Sequence, residues 1–158
     1  MKLSYDEKYF DDVYYNDKEE AYELERKINN QTIWMQFGLV QTSDKIWWNV
    51  ALSIYNKSKD MYSNMDKKVI TGINPFLNVI VARKMFDALE AAVVNDAVYN
   101  KRDIYIFTHW EDNRRRDAYY RVLSKKGYRY GIAPWKQKVI MKKFKWKDYE
   151  EMLNDGDE

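Results

Sequence analysis

Two neighbouring runs of alternating apolar residues constrain the fold of this chain more than any other feature. A period of two predicts β-strands with one buried face. Polar residues 41–44 join the two runs, so we predict an antiparallel hairpin of residues 32–40 and 45–55. Trp34, Trp47 and Tyr55 would lie on its second face, which would need a helix over it or a ligand beside it. The alternating residues are Ile33, Met35, Phe37 and Leu39, then Ile46, Trp48, Val50, Leu52 and Ile54.

The composition fits one folded domain. A hydrophobic share of 46% in 158 residues, with 16% aromatic residues, excludes a disordered chain. The absence of cysteine excludes disulfides, thiolate zinc sites and cysteine nucleophiles. A single histidine leaves no two-histidine metal motif, so we predict no metal site, with carboxylate binding of Mg²⁺ as the open alternative.

Charge is distributed unevenly along the chain. Residues 1–30 hold nine acids and five bases, whereas residues 101–149 hold fifteen bases and five acids. We predict one domain over residues 1–149 and an acidic tail over residues 150–158. The basic half would attract an anionic ligand if folding leaves it on one surface, the alternative being ordinary surface charge. No signal peptide or long apolar run is present, which predicts a cytoplasmic protein without membrane contact.

The remaining patterns in the N-terminal two thirds predict both helices and strands. We predict a short strand near residues 2–5, a helix over residues 17–29 and a second short strand over residues 69–71. Residues 56–68 are predicted to be a polar connector. A helix of about twenty residues is predicted from Pro75 to about Asn95, with Asn74 as its cap.

The C-terminal third has the order strand, helix and hairpin. Residues 101–110 are predicted to form a buried strand, and Asp112 or Asn113 would cap a helix over residues 114–126. Gly127 would end that helix, and residues 128–132 and 138–144 would form a second hairpin. The fold class is therefore predicted to be α/β (α+β), a single domain with a mixed, mainly antiparallel sheet flanked by helices.

The stretch from Ile104 to Tyr130 carries a resemblance to a known family. It reads IYIFTHWEDN, then AYYRVLSKKGYRY, so that a strand ends near Asn113 and a helix stops at Gly127-Tyr128. That order resembles the closing half of the GNAT superfamily of N-acetyltransferases, and it is similar to small phage proteins of this type. With the hairpin that follows, the resemblance covers roughly 45 residues, from about Asp103 to Trp146. It implies acetyl-CoA as cosubstrate and an amine as acceptor.

The resemblance also implies where the coenzyme would bind. The family holds the pyrophosphate with the motif Arg/Gln-x-x-Gly-x-Gly/Ala at the start of its long central helix. Here Gly72 has Val69 three residues before it and Asn74 two residues after it. Backbone N–H groups at a helix start bind phosphate, so Gly72, Ile73, Asn74 and Lys68 are the predicted coenzyme-binding residues. The alternative is that this segment only turns the chain and caps a helix.

A second predicted group of coenzyme-binding residues lies at the start of the later helix, and comprises Asn113, Arg114, Arg115 and Arg116. Three cations in a first turn oppose the helix dipole, and a bound anion would relieve that cost. In the resembled fold this turn lies near the coenzyme. The alternative is that the arginines are solvated and paired with Glu111, Asp112 and Asp117.

Acyl transfer to an amine needs a base for the ammonium proton and a donor for the leaving thiolate. The resembled enzymes often place a tyrosine four residues before the helix-ending glycine, where this chain has Leu123. Tyr120 and Tyr119 are the nearest substitutes, and His109 is the predicted base because histidine as a residue type suits proton transfer near neutral pH. The alternative for His109 is a structural role on its strand.

These observations give three hypotheses for the function. The first is an acyl-CoA-dependent N-acyltransferase. The second is a catalytically degenerate protein of the same fold that serves as a viral or host-interacting module. The third is a nucleic-acid-binding module that uses the basic, aromatic second half of the chain.

Overall fold

The computed structural model describes residues 12–28, 31–42, 44–56, 61–64, 75–110 and 112–151. They form one sheet of eight strands and two α-helices, with short 3₁₀ turns at Ser124–Lys126 and Trp146–Tyr149. The strands are β1 (Tyr14–Asn16), β2 (Ala21–Ile28), β3 (Gln31–Gln41), β4 (Ile46–Asn56), β5 (Met61–Asn64), β6 (Ile104–Thr108), β7 (Arg129–Ile132) and β8 (Lys138–Phe144). The helices are α1 (Pro75–Tyr99) and α2 (Asn113–Leu123).

The sheet is mixed but mainly antiparallel. Seven strands follow the order β1-β2-β3-β4-β6-β8-β7, and β5 pairs with β4 outside this path. Within the described residues, the pairing of β4 with β6 is the one parallel contact. The predicted α+β class is confirmed.

The predicted central hairpin is confirmed as β3 and β4, which pair over eleven residues from Gln31↔Asn56 to Gln41↔Ile46. Its apolar positions face α1, as their alternation predicted, and Ile33 and Phe37 are fully buried. The hairpin is the centre of the larger core, because side chains of β2, β6, β8 and both helices pack on the same face.

The predicted helix over residues 17–29 is wrong. Ala21–Ile28 form strand β2, which pairs with β3 over its whole length. Helix formers dominate the segment, but intrinsic propensity is a weak preference that eight residues of strand pairing overcome. Tyr22, Leu24, Arg26 and Ile28 occupy every second position, and the three residues between them are charged. This period of two was the signal for a strand.

The structure differs from the prediction in one further segment of this part of the chain, and it does not describe two others. The predicted connector over residues 56–68 contains strand β5, which pairs with the last four residues of β4. Its sequence, MYSN, is short and polar, so no periodic pattern indicates a strand. The predicted short strands at residues 2–5 and 69–71 lie outside the described residues.

Helix α1 is confirmed and runs to Tyr99, slightly beyond its predicted end. It packs against β2, β3 and β6. Three of its own residues, Met85, Leu89 and Val93, are fully buried in the larger core. A long apolar helix across one face of the sheet buries a large area and is a main contribution to stability.

The predicted strand, helix and hairpin of the C-terminal part are also confirmed, as β6, α2 and β7–β8. Asp112 is the N-cap of α2, because its Oδ1 accepts a 2.8 Å hydrogen bond from the backbone N–H of Arg115. Gly127 ends the helical segment in the left-handed region at φ 95°, as expected for a C′ glycine.

Around Trp47, neighbouring aromatic side chains cover the second face of the sheet. Trp47 is only 2% exposed, although neither of the helices in the described residues covers its ring. Tyr105 stacks on it at 4.2 Å, and Phe107 and Trp135 contact it edge-on. The β7–β8 turn thus folds Trp135 back over the sheet and completes a second, smaller core.

Candidate active site

The candidate site begins where two parallel strands separate. Strands β4 and β6 pair from Ile46↔Ile104 to Asn49↔Phe107, and no pairing continues beyond this point. Strand β4 runs on to Asn56, where it pairs with β5 instead. The separation leaves a gap in the sheet at the carboxyl end of β6.

An apolar cleft of about 200 Å³ opens at this gap. Val50, Leu52 and Ile54 point into it because they share the helix-facing side of β4. The polar groups at its surface are Thr108, at the end of β6, and Tyr119, on α2, together with the exposed Arg83 of α1. The rest of the lining consists of Met35, Val79, Ala82, Phe86, Ala118, Val122 and Leu123.

Tyr119 is the predicted catalytic residue that the structure places in the cleft. Burial raises the pKa of its hydroxyl above the usual value. The Arg115 guanidinium opposes that rise and the Asp112 carboxylate adds to it. Its hydroxyl is protonated at neutral pH, as in any tyrosine, and burial makes it a weaker acid than usual.

Tyr120, the neighbouring candidate, does not line the cleft. Its ring stacks on Tyr130 of β7 at 4.2 Å, and Trp110 packs edge-on against the same Tyr130. Successive helical residues point about 100° apart, so Tyr119 and Tyr120 serve different surfaces of α2.

His109 immediately follows the cleft residue Thr108 and is partly buried. Its backbone carbonyl accepts a 3.3 Å hydrogen bond from the Thr108 hydroxyl. The predicted base therefore lies next to the cleft in sequence, although its side chain is not part of the lining.

The predicted coenzyme-binding residues of α2 are not among the residues that line the cleft. Asn113 and Arg114 are exposed. Arg115 Nε lies 3.8 Å from Asp112 Oδ2, and Arg116 Nε lies 3.0 Å from Asp117 Oδ1. These two contacts match the alternative in which the arginines pair with nearby carboxylates.

The other predicted coenzyme-binding residues are Gly72, Ile73, Asn74 and Lys68. All four lie outside the described residues, and they remain predictions. Pro75, the first residue of α1, marks where the description of this segment resumes.

A buried ionic cluster beside the cleft was not foreseen from the sequence. Glu90 on α1 is only 4% exposed, and its Oε2 accepts a 2.7 Å hydrogen bond from the Tyr128 hydroxyl. Lys126 Nζ lies 3.3 Å from Glu90 Oε1 and also donates to Asp87. Burial raises the pKa of Glu90, while the Lys126 ammonium opposes the rise. One acid within the apolar run of residues 88–94 was the available signal.

This cluster borders the cleft through one aromatic ring. Phe86 lines the cleft, packs edge-on against Tyr128 at 5.6 Å and lies beneath the Lys126 ammonium. The cluster therefore fixes the position of a cleft side chain. It also ties α1 to the residues on either side of Gly127.

In the part of the chain that the structure describes, no group of three or more acidic or histidine side chains is arranged to hold a metal ion. No helix among those residues is long and apolar enough to cross a membrane. Comparisons with protein-family models, curated proteins and solved structures found no match.

Proposed function

We propose that the chain is an acyl-CoA-dependent N-acyltransferase that moves an acetyl group from acetyl-CoA to an amine. The observation that carries the proposal is the separation of parallel strands β4 and β6 after Asn49 and Phe107, which opens the apolar cleft. Ligands of open sheets with parallel strands bind in crevices outside the carboxyl ends of those strands. The cleft has this position, between helices α1 and α2.

The order of elements supports the same proposal. Strand β6, helix α2, Gly127-Tyr128 and the β7–β8 hairpin follow one another as the GNAT resemblance implies. The sheet is mainly antiparallel with helices on it, which agrees with the same resemblance.

The reaction would place modest demands on the side chains. The amine nitrogen attacks the thioester carbonyl, a C–N bond forms, the C–S bond breaks and the amine nitrogen loses a proton. Tyr119 would donate a proton to the leaving thiolate, because it is the one phenolic hydroxyl among the described residues that line the cleft. His109 is the proposed base, and holding the two reactants together in the cleft would supply most of the acceleration.

Binding of acetyl-CoA is the first test. Calorimetry and thermal denaturation with acetyl-CoA would be compared for the wild-type protein and two variants of α2. Ala118→Trp fills the cleft from its rim, whereas Arg121→Trp adds the same ring at an exposed position of the same helix outside the cleft lining.

We expect acetyl-CoA to stabilise the wild type and Arg121→Trp, by about 2.7 kcal/mol at a hundredfold excess over Kd. Ala118→Trp should fold but lose that stabilisation. No shift of the wild type at millimolar acetyl-CoA would refute the proposal.

The alternative of a catalytically degenerate interaction protein is favoured by Leu123. This residue lines the cleft at the position where the resembled enzymes often carry a tyrosine donor. Acetyl-CoA binding without acetyl transfer to any of a panel of amines would support this alternative.

The nucleic-acid hypothesis ranks third. The aromatic residues on which it rests are distributed over several surfaces: Tyr128 is buried, Tyr119 lines the cleft and Tyr120 stacks on Tyr130. The full set is Trp110, Tyr119, Tyr120, Tyr128, Tyr130, Trp135 and Trp146. They do not form one continuous stacking surface.

A further inference from the structure

A second cavity, which we call the basic cavity, lies at the other end of the β4–β6 pair. Four cations, Lys45, Lys101, Arg102 and Lys143, surround it. They come from the β3–β4 turn, the connection between α1 and β6, and strand β8. Its other lining residues are Gln41, Asp44, Ile46, Asp103, Tyr105 and Trp146, and its volume is about 540 Å³.

The cations in the described part of the chain include some that pair with a carboxylate and some that do not. Arg26, Arg116 and Lys126 each form an ion pair with a carboxylate. None of the four cations of the basic cavity forms an ion pair with a described residue. Asp103, one of the two acids nearby, already accepts a 3.1 Å hydrogen bond from the backbone N–H of Trp146.

Two of the cations converge on one aromatic ring. Lys45 Nζ and Lys143 Nζ lie 5.6 Å and 5.8 Å from the centroid of the Tyr105 ring. The ring is fixed in place by its stack on the buried Trp47. Cation–π attraction thus holds two positive charges at one fixed ring on the wall of the cavity, where both would act on a bound anion.

Lys101 and Arg102 reach the edge of the cavity through the turn that ends α1. The φ of Lys101 is 54°, in the left-handed region that often ends a helix. The N–H groups of Lys101 and Arg102 donate to the carbonyls of Val98 and Ala97, at 3.1 Å and 2.9 Å. One capped turn thus places two neighbouring cations at the cavity.

We propose that the basic cavity binds the phosphate groups of a nucleotide. Cations from separate segments around a concave surface suit a phosphate-bearing ligand, and the volume falls within the usual range for small-molecule sites, roughly 300–1,000 Å³. The site is separate from the apolar cleft, with which it shares no lining residue. The nucleotide is either free or part of an RNA strand.

The test is calorimetric titration of the full chain with ADP, inorganic pyrophosphate, adenosine and a short single-stranded RNA. The variant is Lys45→Gln/Lys143→Gln, and the matched control is Lys18→Gln/Lys125→Gln, which removes two exposed lysines elsewhere. The cleft-filled variant Ala118→Trp is titrated with the same ligands, because it separates this cavity from a coenzyme site.

We expect ADP to bind the wild type, the control and Ala118→Trp alike, with roughly tenfold weaker binding to Lys45→Gln/Lys143→Gln. Pyrophosphate should bind and adenosine should not. Tighter binding of RNA than of ADP would identify a strand as the source of the phosphates. Equal ADP affinities of the double variant and its control, or no binding of any phosphate ligand, would overturn the proposal.

The outcome is independent of the acyltransferase proposal. Loss of acetyl-CoA binding in Ala118→Trp with retained ADP binding would support both sites. Loss of ADP binding in Ala118→Trp, with no effect of the double lysine variant, would assign ADP to the cleft and refute the basic cavity.

Discussion

The hydroxyl of Tyr128 donates a 2.7 Å hydrogen bond to Glu90 Oε2 in the interior of the molecule, where Tyr128 is 1% exposed. This bond joins the middle of α1 to the first residue after Gly127. The Glu90 carboxylate is buried and has few partners. Loss of one partner therefore lowers the free energy of unfolding.

Tyr128→Phe should therefore lower the free energy of unfolding by about 1.5–3 kcal/mol, because the Glu90 carboxylate loses a hydrogen bond. Urea denaturation measures the change. Tyr149→Phe is the matched control, since Tyr149 is 5% exposed and its hydroxyl forms no hydrogen bond with a described residue. Equal losses in the two variants would contradict the importance of the Glu90 contact.

Asp96 should make stability depend on pH. Burial raises the pKa of this half-buried carboxyl, despite hydrogen bonds from Tyr22 and Asn100. The folded protein then binds the proton more tightly than the unfolded chain, so this contribution to stability is lost as pH rises from about 4 through the raised pKa.

The variant Asp96→Asn tests this dependence, since it cannot lose a proton. Urea denaturation at a series of pH values should show the variant gaining stability relative to the wild type as the pH rises through that range. The opposite trend would mean that the pKa of Asp96 is lowered in the folded protein.

Gly127→Ala should destabilise the protein by about 1–2 kcal/mol, since a β-carbon is unfavourable in the left-handed region. The φ of Gly127 is 95°. Gly38→Ala is the control, because it lies in a strand and its nearest neighbour to an added Cβ is the Gln36 side chain at 3.7 Å. Thermal denaturation of the two variants would separate backbone strain from a general effect of replacing glycine.

The acyltransferase proposal makes a paired prediction for two adjacent tyrosines. Tyr119→Phe should lower kcat for acetyl transfer by roughly a hundredfold with little change in the KM for acetyl-CoA, because the cleft loses its proton donor. Tyr120→Phe keeps its stack on Tyr130 and should retain activity. Thiol release from acetyl-CoA across a panel of amines measures both. Full activity of Tyr119→Phe would remove it from the mechanism.

The elements that were predictable carry their signals locally. Alternation marks the β3–β4 hairpin, Asn74-Pro75 marks the start of α1, and Gly127 marks the end of the helical segment after α2. Strand β2 was missed because helix propensity concealed its weaker alternation. Strand β5 has too few residues for a period to be recognised.

The candidate site was less predictable because it depends on the separation of strands. Tyr119 was predicted from its place in the helix that ends near Gly127. The alternation of Val50, Leu52 and Ile54, in contrast, does not show that β6 separates from β4 beside them. The basic cavity combines cations from three regions of the chain, so no local motif marks it. Glu90 did carry a local signal, as the one acid within the apolar run of residues 88–94.

The short parallel seam between β4 and β6 has a mechanical consequence. Four residue pairs are the whole strand contact between the first five strands and the last three in the described structure. A ligand in the cleft would touch both parts just beyond the seam, and would act as a brace between them. Slower amide hydrogen exchange at Asn49 and Phe107 would then report its arrival.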